Sequence, residues 1–522
     1  MATNEEPVPW KNPPNHQVFM VELAVCCSSC RWMVIKVLNG GGMSKRIFAL
    51  IFLLFFTTIA CAQNYDVVVE GGRVMDPETG MDAVRNLGIR DGKIVRISPG
   101  ALSGQRVVHA AGLIVAPGFI DLHQHSQELA SQRVKALDGV TTALELEIGA
   151  PDVALFLKDK EGHSLIHYGS SASHVAARSA VFGAPLPPGD ILPKSGPATD
   201  QPATAEQIER IRARLRAELD AGGLAIGMGI QYTPGATRLE VIDMFRLAAE
   251  RKLPVYTHVR SSGRIEPGSS IASVSEVIGA AAITGASLHI VHINSSCTRD
   301  SLECLSMIEG ARGRRLDVTT EAYPYAAGMT AINSALFNPG WQDKLGISYD
   351  ALLLPDTGER LTKERFDALH NSNTTHFVVI FSNTQEMVDQ VIEHPLVMIA
   401  SDGLAGHPRN AGTYSRVLAQ YVREKGTISL IDALRKMSLM PAQMLERSTP
   451  EARQKGRLQE GADADIVVFD AKTISDRSTY ENPMEPSVGV RYLIVGGTIV
   501  VNEGKIVPDV FPGRALRGPG KR

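Results

Sequence analysis

The chain has 522 residues, 53 Lys and Arg against 56 Asp and Glu, a net charge of -3 and a hydrophobic fraction of 44%. That length exceeds one small domain and accommodates a large barrel plus a smaller module. The near-balanced charge and the lack of a basic stripe with interleaved aromatics argue against a nucleic-acid partner.

Residues 1–62 stand apart. Met43-Ser-Lys-Arg46 is a short basic start, 47–60 is almost entirely apolar, and Ala60-Cys61-Ala62 supplies small residues for cleavage. That is the layout of a secretory signal peptide, and the apolar run is short for a membrane span. The expectation is cleavage before Gln63, a periplasmic or secreted product with no stable span in the mature chain, and Met43 as the true start after an upstream extension. Lipoprotein anchoring at Cys61 is the lesser alternative, because Thr58 suits it poorly. Cys26, Cys27 and Cys30 lack a second pair or a histidine partner nearby and are not read as a metal site. Past Gln63 only Cys297 and Cys304 remain, and an oxidising compartment allows them to pair.

Residues 63–117 read as short strands and tight turns. Asp91-Gly92 marks a hairpin between Leu87-Gly-Ile-Arg90 and Lys93-Ile-Val-Arg-Ile97. Residues 455–522 repeat that texture: a strand at 464–470, then Tyr492-Leu-Ile-Val-Gly-Gly-Thr-Ile-Val-Val501, which echoes the first strand and its Gly71-Gly72, then a hairpin at 502–507. Two β-rich ends of matching style predict one small β-sandwich domain built from both termini.

Residues 118–454 alternate apolar strands with helical patterns such as 205–221, 241–250 and 273–284. This alternation predicts parallel βα units and a (β/α)8 TIM-like barrel. Candidate strands are 118–122, 141–147, 164–168, 224–229, 254–259, 288–293, 318–323, 377–381 and 397–401. That is one strand more than eight, and 377–381 is assigned to an insertion at about 330–385, after a long irregular stretch.

The chemistry-bearing residues fall at the C-terminal ends of these strands, the active-site face of such a barrel. His123 and His125 leave the first strand on one face, with Gln124 opposite. Glu145 and Glu147 follow, then His258, His292 and Asp402. Singly, each has a structural explanation: a satisfied core histidine, or an aspartate capping a turn. Four imidazoles and a carboxylate in barrel order instead suit one or two divalent metal ions, with zinc foremost. Such a metal makes hydroxide available near neutral pH, and Asp402 would shuttle the proton.

Together these motifs resemble the amidohydrolase superfamily and, within it, the N-acyl-D-amino-acid deacylase (D-aminoacylase) group. Val115-Ala-Pro-Gly-Phe-Ile-Asp-Leu-His123-Gln-His125 resembles the first-strand motif. Gly139-Val-Thr-Thr142, Tyr256-Thr-His-Val-Arg260, Leu288-His-Ile-Val-His-Ile293, Ala322-Tyr-Pro-Tyr-Ala326 and Ser401-Asp-Gly403 follow in the family's order. The run from His407-Pro-Arg-Asn-Ala-Gly to Leu418, and the run 456–470, are similar to the deacylase group specifically. The resemblance implies metal-dependent hydrolysis of an amide bond in a small-molecule substrate, most simply an N-acyl amino acid. His123, His125, Glu147, His258, His292 and Asp402 would be metal ligands. A cyclic-amide or dipeptide hydrolase of the same superfamily is the alternative, and a non-catalytic, ligand-binding barrel is the alternative of another class. Homo-oligomerisation stays open.

Two positions depart from the group. Its metal-binding cysteine corresponds to Ile148, which cannot bind metal, so a glutamate takes the bridging place. Glu147 is preferred as the nearer to the strand end, and Glu145 is its rival. The group's carboxylate-pairing lysine corresponds to Asn294, which hydrogen-bonds but carries no charge. Arg260, Asn294, Tyr323 and Tyr325 are the candidate substrate contacts; Arg416 is read as a surface residue.

Overall fold

The structure is a computed structural model that describes residues 64–187, 190–263, 265–372 and 374–520. The signal-like stretch 43–62 and Cys26, Cys27, Cys30 and Cys61 lie outside the described residues.

Strands from both ends of the chain share one nine-stranded mixed sheet. Its seam is Ile114–Pro117, which runs parallel to Asn64–Asp76 on one side and antiparallel to Ile466–Phe469 on the other. Alternate residues from both ends, among them Val67, Ile94, Val108, Ile466 and Ile499, bury into a common core. Asp91-Gly92 closes the Met81–Arg90/Lys93–Ser98 hairpin with both residues at positive φ, 52° and 74°. That is the turn whose twist suits two strands joined by two residues. The two Gly-Gly pairs differ in role. Gly496-Gly497 is a hairpin turn, again with both φ positive. Gly71-Gly72 is instead a bulge inside the 13-residue strand Asn64–Asp76. A Cβ on Gly72 would lie 2.3 Å from the Val115 side chain, so no larger residue fits there.

The middle of the chain forms an eight-stranded parallel, nearly closed barrel. Its strands, in chain order and in spatial order, are β1 (Phe119–Asp121), β2 (Val140–Ala150), β3 (His167–Ser173), β4 (Ile226–Gly229), β5 (Val255–His258), β6 (Leu288–Ile290), β7 (Val318–Ala322) and β8 (Val397–Ile399). All eight are buried along their length, as strands covered on both faces must be. Leu122, Leu144, Leu224, Tyr256 and Met398 fill the interior, and Leu516 from the C-terminal tail joins them. Sequence reasoning placed the third strand at 164–168; it runs later, through Gly169-Ser-Ser-Ala-Ser173. These small residues have weak β-propensity, and tight packing rather than propensity makes them a strand. A Cβ on Gly169 would lie 2.8 Å from Leu224 and 2.9 Å from the Leu516 carbonyl.

The strand Phe377–Phe381 lies outside the barrel, in a three-stranded antiparallel sheet with Ala327–Ala331 and Leu352–Leu353. This insertion between β7 and β8 has its own aromatic core of Phe337, Trp341 and Phe366. Cys297 and Cys304 form a disulfide that ties the turn after β6 to the helix Ser301–Gly313. Among the described residues, no helix is long and apolar enough to cross a membrane.

The barrel and terminal sheet are pinned together at Asp465. Its carboxylate takes His167 Nε2 at 2.9 Å and Lys455 Nζ at 2.7 Å, both buried, and the part-buried Gly496 amide at 2.7 Å. Burial opposes the charge, but His167 and Lys455 outweigh it and hold the carboxyl well below its ordinary range. A depressed carboxylate pKa stabilises the fold above the unfolded value and is lost as pH falls. Asp465→Ala is therefore expected to lose about 2–3 kcal/mol at pH 7, because it leaves the buried His167 Nε2 and the Gly496 amide without their acceptor, while Lys455 keeps Asp463 at 3.0 Å. Urea unfolding at pH 7, pH 4 and pH 2 checks this: the gap between wild type and variant should hold at about pH 4, near the ordinary aspartate value, and narrow at about pH 2.

Candidate metal centre

The centre is assembled where the ends of β1 and β8 meet. Beyond β1 the chain stays extended, so His123 and His125 project to one side and Gln124 to the other. The Gly403 amide donates to the His123 carbonyl, and the Gly403 carbonyl accepts from the amides of His125 and Ser126, each at 3.0 Å. A Cβ at position 403 would lie 2.0 Å from Gln124 Oε1, so a larger residue there has to displace the Gln124 side chain. Beneath, the fully buried Asp121 accepts from Lys135 Nζ at 2.7 Å and from the amide and hydroxyl of Ser401. This lashes the first strand to the last and brings Asp402 over the histidines.

A break in the strand separates the surroundings of Glu145 from those of Glu147. β2 and β3 run in register to Glu145/Ser170 and regain it at Ala150/Ala172, leaving extra residues on β2. Such a bulge re-aims the side chains within it. Glu145 holds the bulge: its Oε1 accepts from the Ile148 and Gly149 amides at 3.2 Å each, and its Oε2 lies 2.7 Å from His125 Nδ1. Glu147 is swung to the middle. Its Oε2 is 3.1 Å from His123 Nε2 and 3.0 Å from His125 Nε2, and its Oε1 is 2.6 Å from His258 Nδ1 and 3.1 Å from His292 Nε2. Ile148 faces the neighbouring pocket instead.

Two groups able to hold a cation result: His123, His125, Glu147 and Asp402, and Glu147, His258 and His292, with the ligand atoms of each group within 4.8 Å of one another. The donor chemistry fits divalent metal. Glu321 engages His123 Nδ1 at 2.7 Å and Glu145 engages His125 Nδ1, which leaves both Nε2 atoms facing each other at 3.1 Å and facing Glu147. Lone pairs converging on a carboxylate need a positive charge among them. Gln231 Oε1 orients His258 through Nε2 at 2.7 Å, and Ser296 lies 3.1 Å from His292 Nδ1. Metal-binding histidines characteristically use their second nitrogen this way.

The electrostatics agree. Burial opposes an imidazolium at His123, yet the charges of Asp402 and Glu147 prevail and carry its pKa up to about 10. At His125, Glu145 and Asp402 likewise overcome burial. Burial dominates at His258 and lowers it. Asp402 is buried, but Arg409 and the histidines hold it well below the carboxylate range. Its Oδ1 is 3.4 Å from His123 Nε2 and 3.3 Å from His125 Nε2, and Oδ2 is 2.9 Å from Arg409 Nη2.

The proposed substrate contacts fare differently. Arg260 is turned away: it pairs with Glu276 at 2.6 Å and donates to the Pro234 carbonyl. Tyr325 packs against Arg416 and His407, with its hydroxyl toward the Pro408 carbonyl. Asn294 spends its amide N–H on the Tyr323 carbonyl, leaving Oδ1 buried without a partner. Tyr323 stays close, with its hydroxyl buried and unpartnered and its ring under the Arg409 guanidinium at 4.6 Å. Arg416, read as a surface residue, is mostly buried on Asp476 and the Pro324 carbonyl. Sequence reasoning missed Arg409, Glu321 and Gln231. Arg409 lay within the quoted His407-Pro-Arg409 run, and only its pairing with Asp402 shows what it does.

Beside the centre opens a pocket whose lining joins His125, Glu147 and Asp402 to Ile148, Leu336 and Phe377. No lysine or arginine among the described residues lines it.

Comparison with known proteins places this geometry. A model described as the amidohydrolase family matches residues 196–501. An N-acyl-D-glutamate deacylase of Alcaligenes xylosoxydans xylosoxydans is 29% identical over 488 residues, covering 87% of this chain and 97% of that protein. A D-aminoacylase of the same organism is 27% identical, covering 85% and 96%. The crystal structure of the N-acyl-D-glutamate deacylase from Bordetella bronchiseptica, complexed with zinc and a phosphonate inhibitor, superposes with a TM-score of 0.74 at 26% identity, covering 87% of this chain and 100% of that one.

Glu147→Ala is expected to abolish tight metal binding at both groups. Glu145→Gln should keep the metal with affinity weakened about 10–100-fold. Metal analysis after dialysis, with chelator competition, measures both, and the reverse order would exchange the two roles.

Proposed function

Because the chain belongs to the amidohydrolase family, we propose that it is a D-aminoacylase-like hydrolase of N-acyl amino acids. One or two divalent cations, zinc foremost, would be held by His123, His125, Glu147, His258, His292 and Asp402. The observation that carries this reading is Glu147, one carboxylate shared between two imidazole pairs. The zinc in the Bordetella deacylase structure supports the choice of metal.

When bound, the metal supplies a polarised carbonyl and an activated water. The chain's own residues do the rest. Asp402 is the buried carboxylate beside both His123 and His125, kept ionised by Arg409. It takes a proton from the attacking water and returns it to the departing nitrogen. Asp402 sits at a positive φ of 50°, a strained setting for a side chain held by its surroundings. Arg409 also has N–H groups without hydrogen-bond partners, next to the unpartnered Tyr323 hydroxyl. Buried donors left open in this way suit a carboxylate, and these two, set behind Asp402 and not in the pocket lining itself, replace Arg260 and Tyr325 as the candidate partners of one. The pocket walls beyond the metal centre are apolar or hydroxyl-bearing and suit an apolar remainder of the substrate. The pocket's lack of a lining cation also keeps a cyclic amide, which needs no carboxylate partner, as the second reading.

The signal-like stretch 43–62 supports an exported protein, and the Cys297–Cys304 disulfide accords with an oxidising compartment.

Asp402→Asn is expected to lower kcat by about 10²–10⁴-fold with metal content retained; unchanged turnover would remove its assigned role. Arg409→Met should lower kcat on both N-acyl amino acids and the matching carboxamides, because Arg409 holds Asp402 ionised, and should raise KM at least about tenfold for the N-acyl amino acids alone. Steady-state kinetics on both series, with metal content measured on the same samples, makes the comparison.

A further inference from the structure

A second buried charge cluster lies away from the metal centre. His174 and Arg178, on the helix His174–Val181, meet Glu240 on the helix Arg238–Arg251, and all three are fully buried. Glu240 Oε1 is 2.9 Å from His174 Nε2 and 2.7 Å from Arg178 Nη1. A buried ion pair brings little net stability over well-packed apolar residues. What this one supplies is a fixed guanidinium fork whose remaining N–H groups point at backbone. Arg178 Nε donates to the Ala198 carbonyl at 2.7 Å, and Nη2 donates to the Gln201 carbonyl.

Those carbonyls belong to residues 190–203, which have little regular structure beyond the short helix Pro197–Asp200. The segment is tied down again at Gly235, whose amide donates to the Thr199 carbonyl at 2.8 Å. A Cβ on Gly235 would lie 2.5 Å from the Asp200 backbone, so the two chains are in direct contact. At its other end the segment lays Ile191 and Leu192 against Ile148, Val175 and Tyr232, and both line the pocket beside Glu147 and His258.

We propose that Ile191 and Leu192 form a wall that limits the size of the apolar part of the substrate, and that Arg178 and Gly235 are positioning residues that hold this wall. The assignment rests on the amide-hydrolase reading. Neither Arg178 nor Gly235 touches the metal ligands, so the wall can be moved without altering the reacting groups. In a hydrophobic subsite one methylene is worth roughly 10–200-fold in kcat/KM, so a modest displacement is measurable.

The test uses metal-loaded, full-length protein and a size series of N-acyl-D- and N-acyl-L-amino acids, varying first the side chain and then the acyl chain. Leu192→Ala should raise kcat/KM for the bulkiest substrates relative to the smallest by about tenfold, with kcat on the smallest nearly unchanged. Gly235→Ala should shift the preference in the same direction through the backbone alone. Arg178→Met should do so too, and its thermal midpoint shows whether it folds; the other two variants carry the test if it does not. A size preference that moves less than about twofold in both Leu192→Ala and Gly235→Ala overturns the wall while leaving the hydrolase reading intact. Absence of hydrolysis by the metal-loaded wild type across the whole series overturns both.

Discussion

The active end of this barrel depends on the burial of one carboxylate. Glu147 is 3% exposed and lies within hydrogen-bond distance of four imidazoles. An isolated charge at that depth is expensive, and it persists only where positive charge meets each oxygen. The rest of the centre can be read as what this carboxylate requires. Glu145 fixes the bulge that aims it, Glu321 and Glu145 turn two histidine rings toward it, and Gln231 and Ser296 turn the other two.

The same region carries conformations that the chain adopts only under constraint. His292 has φ of 30° and Asp402 has φ of 50°, both in the left-handed region. Such residues hold their place when their neighbours over-determine it, and they concentrate at functional sites. Here the restraint is visible. Ser401, just before Asp402, is anchored on Asp121, and Gly403, just after it, is bonded to the chain around His123 and His125. The disulfide at Cys297 anchors the turn that follows His292.

Polarity is divided sharply across the pocket. Charge is confined to the metal centre and to Arg409 behind Asp402, and the remaining walls are apolar or hydroxyl-bearing. Those walls come from irregular connections and from the insertion between β7 and β8 rather than from the strands. This is the usual division in a barrel enzyme: strand ends carry the chemistry, and loops choose what reaches it. The similarity to deacylases of different substrate names is consistent with that division, since the ligand set lies on the strand ends.

Much of the molecule was legible from local pattern. Eight buried strands in order, hairpins at Asp91-Gly92 and Glu503-Gly504, an insertion strand at Phe377–Phe381, and histidines two apart at the end of β1 all follow from periodicity, turn chemistry and strand alternation. Those signals are local, because each depends on a few consecutive residues. The choice between Glu145 and Glu147 is not local. Strict alternation puts both on one face, and a bulge set by pairing with β3 separates the glutamate that meets four imidazoles from the one that holds the turn. Arg260 and Arg409 look alike as letters; Glu276, on the helix after β5, claims the first, and Asp402, seven residues upstream in the connection after β8, claims the second. The sequence by itself determined which chemical groups stand at the strand ends. The tertiary structure decided which of them face one another, because a charge takes its role from the partners that folding buries beside it.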